Sequence, residues 1–193
     1  MLGVLNSMSY FIIIRGPLGS GKSTIAKKLV EDLGAIYVSV DEILDEHDLT
    51  TDKEEGYISQ DSFLKANEIV VPAARVALEA GKPVVFDGNF YWKSAIEDLI
   101  TQLSFPNVAF TLKLPVEVCI ERDSKREHPH GIDAAGAVYD KVSEFDFGIP
   151  IDATKPLEEV VAEIEQRITE VLTEVRTEID HEIEQESELR NNK

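Results

Sequence analysis

The sequence predicts an α/β fold, a three-layer α/β/α sandwich whose central sheet is parallel. Three observations carry that expectation. Tyr10-Phe11-Ile12-Ile13-Ile14 is an uninterrupted β-prone run, the pattern of a strand buried on both faces and therefore covered by helices on both sides. Strand and helix patterns then alternate along the chain, as they do where parallel strands are joined by right-handed crossovers. A glycine-rich turn at residues 16–21 separates the first strand from the first helix.

The elements follow in order. Ile25, Ala26, Leu29, Val30 and Leu33 recur at helical spacing, and Gly34 supplies the stop. Residues 35–40 read as the second strand, ending at Asp41, and 63–80 as a helix closed by Gly81. Residues 82–86 form the third strand, ending at Asp87, and 108–114 the fourth. A helix beginning at Pro115 is expected to run through Arg122 into Arg126. Residues 148–151 are the last strand, and Leu157 opens a long acidic C-terminal helix. There Val161, Ile164, Ile168, Val171, Val175, Ile179 and Ile183 stand three or four apart, so they form one stripe. Over residues 157–190 such a helix reaches roughly 50 Å at ~1.5 Å per residue, more than a domain of this size spans. The expected division is a globular domain over 1–175 and an acidic helical tail over 176–193. The tail is either solvated, with the chain a monomer, or paired along its stripe in a homodimer, and solvation is the simpler reading.

Composition narrows the class. With 193 residues, 43% hydrophobic and 29% charged, the chain has enough apolar material for one core and resembles neither disordered nor fibrous proteins. A formal net charge of −18 repels the phosphate backbone, so nucleic acid is not an expected partner. A small anion remains possible in a local basic pocket, where close, desolvated pairs outweigh distant, screened charge. The single cysteine, Cys119, excludes an intrachain disulfide and suits the reducing cytoplasm. The apolar run at 10–14 is far shorter than the ~20 residues of a membrane helix, so no membrane partner is expected. Residues 1–14 lack the basic leading segment of a signal peptide; 1–7 read as an extension, with Met8 an alternative start.

Gly16-Pro17-Leu18-Gly19-Ser20-Gly21-Lys22-Ser23-Thr24 matches the phosphate-binding pattern GxxxxGK[ST] in full, directly after a strand and opening a helix. Glycines let successive N–H groups curl around phosphate oxygens, and the helix N-terminus adds its dipole. Lys22, expected to face solvent, reaches the β- and γ-phosphates, and the Ser23 hydroxyl ligates Mg²⁺. The expected ligands are therefore ATP and Mg²⁺. Asp87, at the end of an apolar strand, is expected to support the same metal through its waters; the bland alternative is an aspartate capping the following turn.

These residues carry a resemblance. The chain is similar to the P-loop kinase superfamily of P-loop NTPases, specifically the small-molecule and polynucleotide kinase-like ATPases that include the zeta-toxin relatives. The match rests on the P-loop, on Asp41, on Ala80-Gly81-Lys82-Pro83-Val84-Val85-Phe86-Asp87 and on Leu114-Pro115-Val116-Glu117-Val118-Cys119-Ile120-Glu121-Arg122. It implies an adenylate kinase-like fold, a short arginine-bearing lid after strand four, and a late segment, here 151–154, before the final helix.

Within that resemblance Arg122 and Arg126, four apart, would share a helix face and clamp the triphosphate, against the alternative of an exposed basic helix paired with Glu121, Asp123 and Glu127. Asp41 would accept the proton of an acceptor hydroxyl, as the carboxylate at this place does in relatives, or else cap the helix that follows. Asn89, Phe90, Tyr91 and Trp92 are candidates for an acceptor wall, or for core packing, with Arg75 on the preceding helix. His128 and His130 read as loop residues without a third metal ligand. Adenylate kinases carry Asp-Gly-Phe-Pro-Arg at strand three, whereas this chain has Asp87-Gly88-Asn89-Phe90-Tyr91. The missing arginine disfavours a monophosphate acceptor. The leading expectation is an ATP-dependent phosphotransferase acting on a small-molecule hydroxyl, such as a nucleoside or sugar. The alternatives are a nucleoside monophosphate kinase and a non-catalytic nucleotide switch; the Asn-Lys-x-Asp motif of guanine-reading switches is absent.

Overall fold

The computed structural model describes residues 8–191, with side chains as far as residue 185; the extension at 1–7 lies outside the described residues. In chain order the elements are β1 (Phe11–Arg15), α1 (Lys22–Leu33), β2 (Ile36–Ser39), α2 (Val40–Glu46), β3 (Lys53–Glu54), β4 (Tyr57–Ile58) and α3 (Gln60–Glu79). There follow β5 (Val84–Gly88), α4 (Lys93–Leu103), β6 (Asn107–Lys113), α5 (Val116–Ser124), α6 (Ile132–Ser143), β7 (Ile149–Asp152) and α7 (Leu157–Asn191). The five long strands form one sheet in the order β2-β5-β1-β6-β7, and every pair is parallel. β3 and β4 make a separate antiparallel hairpin.

β1 is central and buried throughout. Alternation along it divides the core: Phe11 and Ile13 join the cluster with residues of α2, α3, α4 and α6, while Ile12 and Ile14 join the one with α1, α5 and α7. An uninterrupted apolar run is what such a two-sided strand requires. Because the strands are parallel, their carboxyl ends meet at one edge. Asp87 of β5 stands level with Ile14 of β1 and Ser39 of β2, next to the turn that leaves β1.

Two expectations are corrected here. The second strand ends at Ser39, not at Asp41, and Ser39 is the N-cap of α2, its hydroxyl accepting from the Glu42 N–H at 3.2 Å. Asp41 is therefore not the helix cap. The helix after Pro115 stops at Ser124, so Arg122 and Arg126 do not share a helix face. Asp123 ends it: its buried carboxylate accepts from the backbone N–H groups of His130 and Gly131 at 2.9 and 3.1 Å, folding the chain back. Pro129 then disfavours helical backbone at His128. α4, α6 and the hairpin are additions to the sequence reading.

α7 is continuous through position 175, so packing and not secondary structure changes there. Val160, Val161, Ile164, Ile168 and Leu172 are buried, whereas Ile179 and Ile183 are 41% and 61% exposed. Truncation after Arg176 is expected to leave the melting temperature within a few degrees and ATP affinity unchanged, checked by thermal unfolding and calorimetry. Among the described residues no helix is long and apolar enough to cross a membrane.

Candidate active site

The turn after β1 is shaped by close approach. Gly19 lies at φ 75°, and a Cβ there would fall 2.2 Å from the Cys119 carbonyl oxygen, so no other residue fits without moving α5. Gly21 caps α1 at φ 90° without a side-chain hydrogen bond, and no acidic residue occupies the first turn. The positive end of α1 is thus left to an anion. Ser20 Oγ is buried with no partner among the described residues.

Lys22 is only 6% exposed, which corrects the expectation of a solvent-facing side chain. Its Nζ donates to the Pro17 carbonyl at 3.1 Å and to Asn89 Oδ1 at 3.0 Å. Burial holds its pKa below the ordinary lysine value, with Asp41 and Asp87 pulling the other way. Asn89 in turn donates twice to Asp41, from its backbone N–H to Oδ1 at 3.2 Å and from Nδ2 to Oδ2 at 3.0 Å. Burial pushes the Asp41 carboxyl above the usual carboxylate range, opposed by Lys22 and the Asn89 N–H. Lysine, amide and carboxylate form one fixed line from the phosphate loop towards α2. Asn89 was a candidate only for the acceptor wall; an asparagine after Asp-Gly reads as a turn, and its bridging role needs β5 beside β2.

Asp87 is 2% exposed. Oδ2 accepts from the Tyr37 hydroxyl at 2.8 Å, while Oδ1 has no partner among the described residues. Burial, then Asp87, raises the pKa of the same hydroxyl. An orphaned buried carboxylate oxygen, beside an uncapped helix whose second residue is Ser23, fits a hydrated divalent cation next to phosphate.

A cleft of about 570 Å³ opens beside this line, its lining mixed: Lys22, Ser23, Asp41, Asn89, Arg126 and His130 are among its polar residues, and Leu18, Leu44, Ile58, Tyr91 and Val138 among its apolar ones. Of the aromatic trio only Tyr91 borders the cleft. Phe90 is fully buried against Phe63. The Trp92 indole donates to the Ile58 carbonyl at 2.9 Å and lies under Lys141 Nζ, 3.9 Å from the ring centroid. Arg75 is bound to the Gln102 carbonyl of α4 and does not line the cleft.

The two lid arginines part company. Arg122 donates to the Ala153 carbonyl at 3.0 Å and, with Ser20, Gly21, Thr24 and Lys155, lines a smaller pocket of about 250 Å³ on the other side of the loop. Arg126 borders the main cleft and opposes the charge of Lys22. Replacing each with alanine is expected to separate their effects. Arg126→Ala is expected to lower kcat by about a hundredfold, the scale for withdrawing a preorganised cation from a charged transition state. Arg122→Ala raises the ATP Kd about tenfold and changes kcat less, an effect of about 1.4 kcal/mol on ground-state binding. Steady-state kinetics with calorimetry distinguishes the two.

A five-stranded parallel sheet in this order, with a phosphate loop after its central strand and an aspartate at the end of the neighbouring one, defines a P-loop nucleotide-binding protein with the fold of the P-loop kinases. A family model described as an AAA domain matches residues 11–144, and the chain belongs to that family. A guanylate kinase of Sulfurimonas denitrificans is 25% identical over 164 residues, covering 73% of this chain and 79% of that protein. Among solved structures, a gluconokinase from Sinorhizobium meliloti superposes with a TM-score of 0.70 at 16% identity, covering 89% of this chain and 98% of that one. A sugar kinase from Janibacter sp. gives 0.63 at 19% identity, covering 81% and 92%.

Proposed function

We propose that the protein is an ATP-dependent phosphotransferase that moves the γ-phosphoryl of ATP to a hydroxyl of a small molecule. The observation that carries this reading is the Lys22-Asn89-Asp41 line, which puts a carboxylate at the wall of a cleft that begins at the phosphate loop. Bound Mg²⁺ would neutralise phosphate charge, with Ser23 and Asp87 as its protein contacts.

The chain's own residues do the positioning. The glycine turn and the N-terminus of α1 hold the phosphates, Lys22 offsets their charge, and Arg126 adds a second cation from the lid. Asp41 orients the acceptor hydroxyl and takes up its proton; such help is modest in phosphoryl transfer, where charge neutralisation dominates. The apolar lining residues would pack against the acceptor and limit water beside it once it is bound. The Asp87-Gly88-Asn89-Phe90-Tyr91 segment brings no arginine to the acceptor side, which supports a hydroxyl over a phosphate as the attacking group. The likeness to a guanylate kinase supports a second reading, with a nucleoside monophosphate as acceptor.

Incubation with ATP, Mg²⁺ and a panel of sugars, nucleosides and GMP tests both, by ADP release above the acceptor-free background. Release with a sugar or nucleoside is the expected outcome. Release with GMP alone replaces the hydroxyl reading by the monophosphate one, and none with any acceptor removes phosphotransfer.

A further inference from the structure

The Asp123-His130 pair stands on the lid side of the cleft, outside the line from Lys22 to Asp41. The Asp123 side chain is 2% exposed and that of His130 46%. Asp123 Oδ1 lies 2.9 Å from His130 Nδ1, Oδ2 accepts from two backbone N–H groups of the same loop, and Oδ1 is 3.8 Å from Arg126 Nε. One buried carboxylate therefore anchors both lid residues that border the cleft. Burial acts to raise the Asp123 pKa, but the His130 ring, the Gly131 N–H and the His130 charge outweigh it and the net shift is downward. The group is a carboxylate, which only accepts.

An acceptor-only partner on Nδ1 requires the proton to sit there, so in the neutral ring Nε2 carries a lone pair. Nδ1 faces the buried carboxylate, and the half-exposed ring borders the cleft. Asp41, which lines the same cleft, already supplies an acceptor for one hydroxyl. Two acceptors lining one cleft match a ligand bearing at least two hydroxyls.

We propose that His130 accepts a hydrogen bond at Nε2 from a second hydroxyl of the phosphate acceptor, with Asp123 as the positioning residue that fixes its tautomer, and that the acceptor is therefore polyhydroxylated. This rests on the phosphotransferase reading. A site built to bind a hydroxyl discriminates against the analogue that lacks it, because the partner that the bound ligand covers is then left unmatched.

His130→Asn is the informative variant. Its amide N–H keeps a donor for Asp123, holding the loop, but leaves no ring nitrogen for the cleft. With the best polyol acceptor it is expected to raise the acceptor KM at least tenfold, leave the ATP KM unchanged, and abolish the preference of the wild type for that polyol over its monodeoxy analogues. Nitrogen-15 NMR of histidine-labelled full-length protein, at a pH where the ring is neutral, is expected to show His130 as the Nδ1–H tautomer. Asp123→Asn is expected to abolish that signature. An unchanged acceptor KM in His130→Asn, or a wild-type His130 in the Nε2–H form, overturns the proposal. A wild type that releases no ADP with any acceptor removes the phosphotransferase reading and the acceptor role together, while the NMR signature still reports whether Asp123 and His130 pair.

Discussion

Lys22→Ala is expected to lower kcat at least a thousandfold while the domain still folds. A thousandfold loss corresponds to about 4 kcal/mol of barrier, the scale expected when a preorganised cation is withdrawn from developing phosphoryl charge in a site shielded from water. Folding survives because the lost contacts are two hydrogen bonds, to Pro17 and Asn89, and removing a buried cation also removes its desolvation cost. Asp41 keeps both bonds from Asn89, so the acceptor wall stays in place. Circular dichroism and calorimetry check folding, and kinetics with the best acceptor checks turnover. A folded variant with near-normal turnover would mean that Lys22 is a strut for Asn89.

Asp87→Asn is expected to raise the Mg²⁺ concentration for half-maximal activity at least tenfold and to lower kcat about a hundredfold. The amide is nearly isosteric and still accepts from the Tyr37 hydroxyl, so packing on β5 is retained. What disappears is the negative charge at the oxygen without a protein partner. Mg²⁺ titration at fixed ATP measures the effect. An unchanged Mg²⁺ requirement would leave Asp87 as an anchor for Tyr37.

The central strand, the phosphate loop and the aspartate closing β5 are all legible in the sequence because each is local. An apolar run, an eight-residue motif and a strand end carry their meaning without knowledge of the fold. The acceptor side is different. Asp41, Ile58, Asn89, the loop residues Arg126 and His130, and Val138 come from separate segments, and only the tertiary fold brings them together. The spacing of Arg122 and Arg126 suggested a shared helix face, and that inference failed because Asp123 binds the loop beyond it. Nothing adjacent in sequence marks that aspartate as a turn-former rather than a helix surface charge. Trp92 and Lys141 are likewise distant residues that meet only through packing of the hairpin and α6.

The most direct test of the central claim follows the phosphoryl group itself. ATP labelled at the γ-phosphate, Mg²⁺ and the best polyol acceptor from the panel are incubated with wild-type protein and with Lys22→Ala, and the products are separated by chromatography. The account predicts label on the acceptor as a phosphate monoester, in step with ADP formed by the wild type and absent with the variant. Label recovered only as inorganic phosphate, at a rate indifferent to the acceptor, would contradict it.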